Sequence, residues 1–278
     1  FKYIKKLRAK INQVAPERIF NELNLLLSSK KSSPAMLLMH DSGLLKYIFP
    51  TLYKNKKLLP SLEVLDHLEN LISDPKRTEI KPLPEIKKLL AGKPGLIKLG
   101  SILYPLQKIS AAGTREQQGK RNRRNKIGNL LTGLRVSNTE IDYIVAMISC
   151  WRLASVSKLK FAGSHPNQFQ LYQFVNQNEE GLIPGLFLHL ANRPKLPKGK
   201  QWKMDAVSIA VQNILDFYFQ TYLPAKAKKP LLDGNDIQQK FKIKPNPFFT
   251  TILYKVEEAR VLGIIHTQSE AISFVKKY

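Results

Sequence analysis

The chain has 278 residues, 43% of them hydrophobic, and carries 45 Lys and Arg against 21 Asp and Glu, a formal net charge of +24. That apolar content supports a large buried core and excludes a disordered chain, while the charge favours polyanionic partners, nucleic acid first, over a neutral small substrate. A single cysteine, Cys150, excludes a disulfide framework and a cysteine-based zinc site, and the apolar runs are broken by charge or proline short of the roughly 20 residues of a membrane span.

The N-terminal FKYIKKLRAK has no signal-peptide cleavage pattern, so a cytoplasmic protein with no membrane partner is expected. A chain that begins with Phe1 is read as a piece of something longer. From Pro16 to Leu27, Ile19, Leu23 and Leu26 recur at i, i+4 and i+7 behind a first-turn proline, predicting a helix. Ser33-Pro34 starts a second one, which runs to Met39 or His40 and stops at Gly43. Ser61 to Ile72 repeats the pattern with Leu62, Leu65 and Leu68.

Next comes GTREQQGKRNRRNK, residues 113–126, with Arg115, Lys120, Arg121, Arg123, Arg124 and Lys126 against one acid, Glu116. Without an apolar anchor it reads as an exposed loop, either an ordinary solvated one or a segment that contacts phosphates; the overall charge favours the second. Ser137-Asn138-Thr139-Glu140 is a capping-box sequence ahead of Ile141, Ile144, Val145 and Ile148. Asp205 to Tyr222 carries the strongest amphipathic pattern, through Val207, Val211, Ile214, Phe217 and Tyr218, and Pro224 is expected to end it.

The basic linker PAKAKKP leads to a short helix ending near Phe241, a turn at Lys244-Pro245-Asn246-Pro247, and a helix bearing Ile252, Val256 and Ala259 that closes at Gly263. Thr267 and Glu270 form a last capping box. The expected fold class is all-α, a multi-helix array in three parts: a neck-like segment 1–58, a helical body 59–225 with the basic loop 113–126, and a small helical tail 226–278.

Met36 to Leu45, MLLMHDSGLL, holds an adjacent His40-Asp41 pair behind an apolar run, the mark of HD-type phosphohydrolases. Such a site needs a further histidine earlier in the chain, and residues 1–39 contain none. None of the five histidines pairs with another at i+3 or i+4, so no helical metal face forms, and no G-x-S-x-G signals a Ser/His/Asp triad. The aromatics between Phe161 and Phe219 could stack on bases, but at helical spacing they fit a core better.

The last fifty residues carry a more specific pattern. Pro230, Leu231, Leu232, Gly234 and Asp236, then Lys244, Pro245, Pro247 and Leu253, then Ala259, Gly263 and Ile265 resemble the tail of bacterial tRNA nucleotidyltransferases, the CCA-adding and A-adding enzymes related to bacterial poly(A) polymerases. The sequence departs from that pattern at Asn246 and Thr250, where the family usually has glycines. Glu17-Arg18-Ile19-Phe20-Asn21-Glu22-Leu23 is similar to the family's neck helix, and Gly43-Leu44-Leu45 with Phe49-Pro50 to the motif that follows it. On that alignment Met36 to Leu45 is a packing helix and turn, not a metal site.

The family often carries an HD domain in the middle third. Here PSLEVLDHLENL resembles its first segment with Pro60 at the first histidine ligand, LIKLGSILYPLQK its second with Tyr104-Pro105 at the His-Asp pair, and RNRRNKIGNLL its third with Arg124 at the next histidine. Proline, tyrosine and arginine there cannot assemble a metal site, so the resemblance implies a degenerate HD-like scaffold. The family's catalytic head needs a Gly-Ser loop and two carboxylates spaced D-x-D for phosphoryl transfer; this sequence has no D-x-D.

The resemblance therefore implies the non-catalytic part of an enzyme that adds nucleotides to RNA 3′ ends. It would bind tRNA or another structured RNA through Arg115, Lys120, Arg121, Arg123, Arg124, Lys126, Lys242 and Lys244, with no catalytic or metal residue and no cofactor of its own. Mg and CTP or ATP are expected only with a catalytic head, covalently attached or separate. The alternatives are a head-less RNA-binding adaptor and an HD-type phosphohydrolase using His40 and Asp41.

Overall fold

A computed structural model of the chain describes residues 1–74, 80–81, 84–107, 119–157, 161–163, 165–193, 205–241 and 247–277. Among the described residues every regular element is helical, so the fold is all-α. By its internal contacts the chain divides into two compact units, Phe1–Lys158 with Asn178–Ser208, and Leu159–Gln177 with Ile209–Tyr278.

The first unit begins with α1 (Lys2–Leu7), a 3₁₀ stretch Arg8–Gln13, α2 (Pro16–Ser28), α3 (Ser33–Asp41), α4 (Leu45–Ile48), α5 (Pro50–Lys54) and α6 (Leu58–Ser73). It continues through α7 (Pro84–Ala91), α8 (Pro94–Leu103), α9 (Gly119–Gly133), α10 (Asn138–Ser157) and α12 (Leu182–Ala191), while α11 (Gln168–Asn178) lies almost wholly in the second unit. Helix α8 is buried along its whole length from Gly95 to Leu103, as its apolar circumference requires. Around it pack α2, α6 and α10, and α12 packs on α6 and α10.

Two glycines allow these helices to meet. A Cβ on Gly95 would collide with Asn24 on α2, and one on Gly181 would fall inside the backbone of Ala146 and Met147 on α10. Burying α8 whole also buries Lys98, whose Nζ reaches Glu69 Oε1 at 2.8 Å and the Ser29 carbonyl at 2.6 Å. Glu69 in turn accepts from the Ser32 amide and hydroxyl, both at 2.6 Å, and from the Ser33 amide at 3.1 Å. The start of α3 is thus capped by a carboxylate from α6, since neither serine caps it through its own side chain.

The second unit contains α11, the run of α13 (Ala206–Phe217) from Ile209 onward, α14 (Leu223–Lys226), α15 (Gly234–Phe241), α16 (Pro247–Val261) and α17 (Gln268–Lys276). Leu232, Ile237, Phe249, Ile252, Val256, Ala259, Ile265 and Ala271 form its tail core. Gly263, at φ 70°, closes α16, and Thr267 Oγ1 caps α17 by accepting from the Glu270 amide at 3.2 Å. Pro224 does not end the helix before it: a π-turn at Tyr218–Tyr222 carries the chain on to Lys226. A proline lacks one N–H and crowds the carbonyl a turn back, and the wider π-turn immediately ahead relieves both demands.

Candidate nucleic-acid interface

The basic stretch expected as a loop over 113–126 is helical from Gly119 onward. Ile127 and Leu131, both buried, anchor α9 at i and i+4, and Lys and Arg extend a nucleated helix backward at little cost. Lys126 is exposed on that helix. Lys120, Arg121, Arg123 and Arg124 belong to its first turns by backbone, while their side chains, together with Arg115, Lys242 and Lys244, lie outside the described residues.

Two other basic groups stand in full view of solvent. The first sixteen residues hold Lys2, Lys5, Lys6, Arg8 and Lys10 without an acid, and the four lysines are exposed. Lys54, Lys56 and Lys57 crowd the turn between α5 and α6, where Lys56 takes a left-handed φ of 53°. Neither group is among the eight cations expected to contact RNA. The signal was available: five cations in ten residues with no counter-charge is an electrostatic footprint.

The positions aligned with HD ligands have other chemistry. Pro60 sits exposed in the first turns of α6. Tyr104–Leu106 form a 3₁₀ turn after α8; the Tyr104 hydroxyl donates to Asn192 Oδ1 at 2.9 Å, and its ring meets Trp151 edge-on with centroids 4.7 Å apart. Burial pushes the Tyr104 phenol up, which keeps it a neutral donor. Lys57 Nζ donates to the Pro105 carbonyl at 3.2 Å.

His40 and Asp41 face each other, Nδ1 to Oδ1 at 3.1 Å, with Asp41 largely in solvent. His67 Nδ1 meets the Ala191 carbonyl at 3.2 Å, and His165 and His266 are exposed. Among the described residues no three His, Cys, Asp or Glu side chains come together as a metal-binding group. Cys150 is fully buried between helices and its thiol is pushed far up by burial, so it is no nucleophile. No described helix is long and apolar enough to cross a membrane.

The family motif at the start of the tail does structural work. Asp236 Oδ2 accepts from the Asp233 amide at 3.1 Å, and Asp233 Oδ1 from the Asp236 amide at 2.8 Å, a reciprocal cap on α15. The Asp233 amide, then Lys240, hold the Asp236 carboxyl below its ordinary value. Arg260 Nη1 donates to the Ala225 carbonyl at 2.8 Å while its Nε pairs with Glu257 at 2.8 Å, tying α16 to the end of α14.

A family profile described as "tRNA nucleotidyltransferase domain 2 putative" matches residues 121–275, more than half of the chain. The chain belongs to the tRNA nucleotidyltransferase family. A second profile, described as "Probable RNA and SrmB-binding site of polymerase A", matches residues 1–55, the stretch that holds the N-terminal lysines. Two curated relatives align over most of the chain. The A-adding tRNA nucleotidyltransferase of Deinococcus radiodurans is 24% identical across 94% of this chain, and the CC-adding tRNA nucleotidyltransferase of Synechocystis sp. is 23% identical across 99%. The chain spans 58% of the length of each.

Proposed function

We propose that the chain is the RNA-holding, non-catalytic portion of a tRNA nucleotidyltransferase-like enzyme. It grips tRNA or a similar structured RNA by its phosphates while an attached or separate catalytic head adds nucleotides to the 3′ end. The observation that carries this reading is the pairing of the two profile matches, to an RNA-binding site over 1–55 and a tRNA nucleotidyltransferase domain over 121–275, on a chain of net charge +24. A basic helical surface suits an A-form stem, whose deep, narrow major groove hides its base edges and leaves backbone and shape to be read.

The contacts assigned are Arg115, Lys120, Arg121, Arg123, Arg124, Lys126, Lys242 and Lys244, joined by the lysines at 2, 5, 6 and 10 and at 54, 56 and 57. Phosphoryl transfer needs paired carboxylates for its metal ions, and the sequence holds no D-x-D, so Mg and CTP or ATP belong to the head. The chain resembles an A-adding and a CC-adding enzyme almost equally, at 24% and 23% identity, which supports placing the choice of nucleotide in the head as well. Pro60, Tyr104, Pro105 and Arg124 leave the body as an HD-like scaffold without HD metal chemistry. The deciding experiment is filter binding of a tRNA transcript across a salt series: steep salt dependence and preference over a DNA duplex of equal charge support the reading, and equal affinity for the two overturns it.

A further inference from the structure

We infer that α11 reads the bases of unpaired nucleotides in the bound RNA, with Phe169 as a stacking ring and Gln170, Gln173 and Gln177 as hydrogen-bonding partners for base edges. The helix, QFQLYQFVNQN, holds neither an acid nor a cation, on a chain of net charge +24. At about 100° per residue, positions 169, 170, 173 and 177 fall within one strip about 100° wide. All four are exposed. Of the aromatics whose helical spacing suits a core, Phe161, Tyr172, Phe174 and Phe187 are buried, whereas Phe169 is 44% exposed.

The strip stands on a well-anchored helix. Leu171, Tyr172, Phe174 and Val175 bury the opposite face, with Tyr172 against Tyr254 of α16 at 5.8 Å between ring centroids and Phe174 against Phe161 at 5.4 Å. Asn167 Oδ1 caps the first turn by accepting from the Gln170 amide at 3.1 Å. The Tyr222 hydroxyl donates to Asn176 Oδ1 at 3.0 Å, and Lys226 Nζ lies 5.7 Å from the centre of the Tyr222 ring. These contacts join α11 to the start of the basic linker, where Lys226, Lys228 and Lys229 are exposed. Cations that can hold a phosphate backbone therefore border a strip that carries none, the division of labour by which phosphate contacts position and base contacts specify.

The chemistry of the strip selects the occupant. A glutamine amide offers N–H donors and an acceptor oxygen together, the complement of a base edge, and a phenyl ring stacks on any base. A paired A-form stem keeps its base faces stacked and its major-groove edges out of reach, so the occupant is a loop, a bulge or a single-stranded end. A protein partner would need an apolar floor at the centre of its interface, and Phe169 is the one apolar residue of the strip. This inference rests on the RNA reading and adds to it the part of the RNA whose bases are read.

The test uses the full chain and two fluorescein-labelled RNAs, a mixed-sequence single strand and a blunt duplex with the same number of phosphates, read by anisotropy across a salt series. Phe169→Ala is expected to weaken binding of the single strand about tenfold, and Phe169→Leu nearly as much, since leucine keeps apolar bulk but no ring. Phe169→Trp keeps the ring and should bind as the parent does. Gln173→Ala combined with Gln177→Ala should weaken the single strand several-fold. Every one of these variants should leave duplex binding, the salt slope and the helical circular dichroism unchanged, because no phosphate contact is lost. Unchanged single-strand affinity in Phe169→Ala, equal losses on the two RNAs or a lowered salt slope overturns the inference and leaves the RNA reading standing. Full affinity in Phe169→Leu with a loss in Phe169→Ala also overturns it, marking an apolar docking surface instead of a stacking ring. A parent chain that binds neither RNA overturns both readings.

Discussion

Lys98 Nζ lies 2.8 Å from Glu69 Oε1, and both side chains are out of solvent. The pair joins α8 to α6, and through Ser32 and Ser33 it also fixes the start of α3. Burial alone would raise the Glu69 carboxyl, but hydrogen bonds from Lys98, Ser32 and Ser33 outweigh it and hold the group below its ordinary value of 4.5. A carboxyl depressed in the folded state contributes stability that is present above pH 4.5 and lost as the pH falls through its lower folded value. Glu69→Gln strands a buried ammonium and should cost about 3–5 kcal/mol in urea unfolding at neutral pH. The pair Glu69→Leu with Lys98→Met should recover most of that loss, since it strands no charge. A single substitution as mild as the double one would show that the ion pair is not what holds the junction.

The close approach of α10 and the turn before α12 makes a second, sharper test. Gly181 has backbone of Ala146 and Met147 where its Cβ would be, whereas Gly133, at the end of α9, has nothing within 4 Å. Gly181→Ala should destabilise by about 1–3 kcal/mol or more, because backbone cannot yield as a side chain tip can. Gly133→Ala should be neutral or stabilising by up to about 1 kcal/mol through the unfolded chain. Thermal unfolding of the two variants side by side checks the contrast, and equal midpoints would contradict the packing.

In the tail, Thr267→Ala removes the side-chain acceptor of the Glu270 amide and should cost about 1 kcal/mol. Thr267→Ser keeps the oxygen and should cost little. Glu270 Oε2 also accepts from the His266 amide at 2.7 Å, so the loss should appear as faster hydrogen exchange over the first turn of α17 before it appears elsewhere. If Thr267→Ser exchanges as fast as Thr267→Ala, the methyl packing and not the cap is responsible.

The caps were among the most legible features of the sequence. Ser137 and Glu140 close their box with a hydroxyl-to-carboxylate bond of 2.6 Å, and Gly43 and Gly263 take the left-handed φ expected of helix-ending glycines. Such signals are local, so a single sequence carries them whole. What escaped depends on neighbours distant in sequence or on competition between weak preferences. Lys98 lies inside an apolar helix and reads as a surface residue until Glu69 is found beside it. Pro224 reads as a stop until the π-turn ahead of it is known. The segment from Gly119 reads as a loop because arginines and amides carry no periodicity; its helix is borrowed from the buried Ile127 and Leu131. The hydrogen bond from Arg8 Nη1 to the Ser42 carbonyl, which joins residues 34 positions apart, could not be read from the dipeptide His40-Asp41 beside it.

The charge of α9 gives the last prediction, one that separates phosphate contact from an ordinary solvated helix. For a tRNA transcript the logarithm of affinity should fall linearly with the logarithm of salt concentration, with a slope of about 0.7–0.9 per phosphate neutralised. Lys126→Glu, at an exposed position, should lower that slope by about 1 and weaken binding evenly across RNA sequences. Reversing Arg121, Arg123 and Arg124 together should lower it by about 2–3. The same number of charges reversed at Lys87, Lys88 and Lys276, exposed lysines outside every assigned group, is the control for net charge alone. Equal slopes for the two triple variants would mean that RNA senses only the overall field, and the helix beginning at Gly119 would lose its place in the interface.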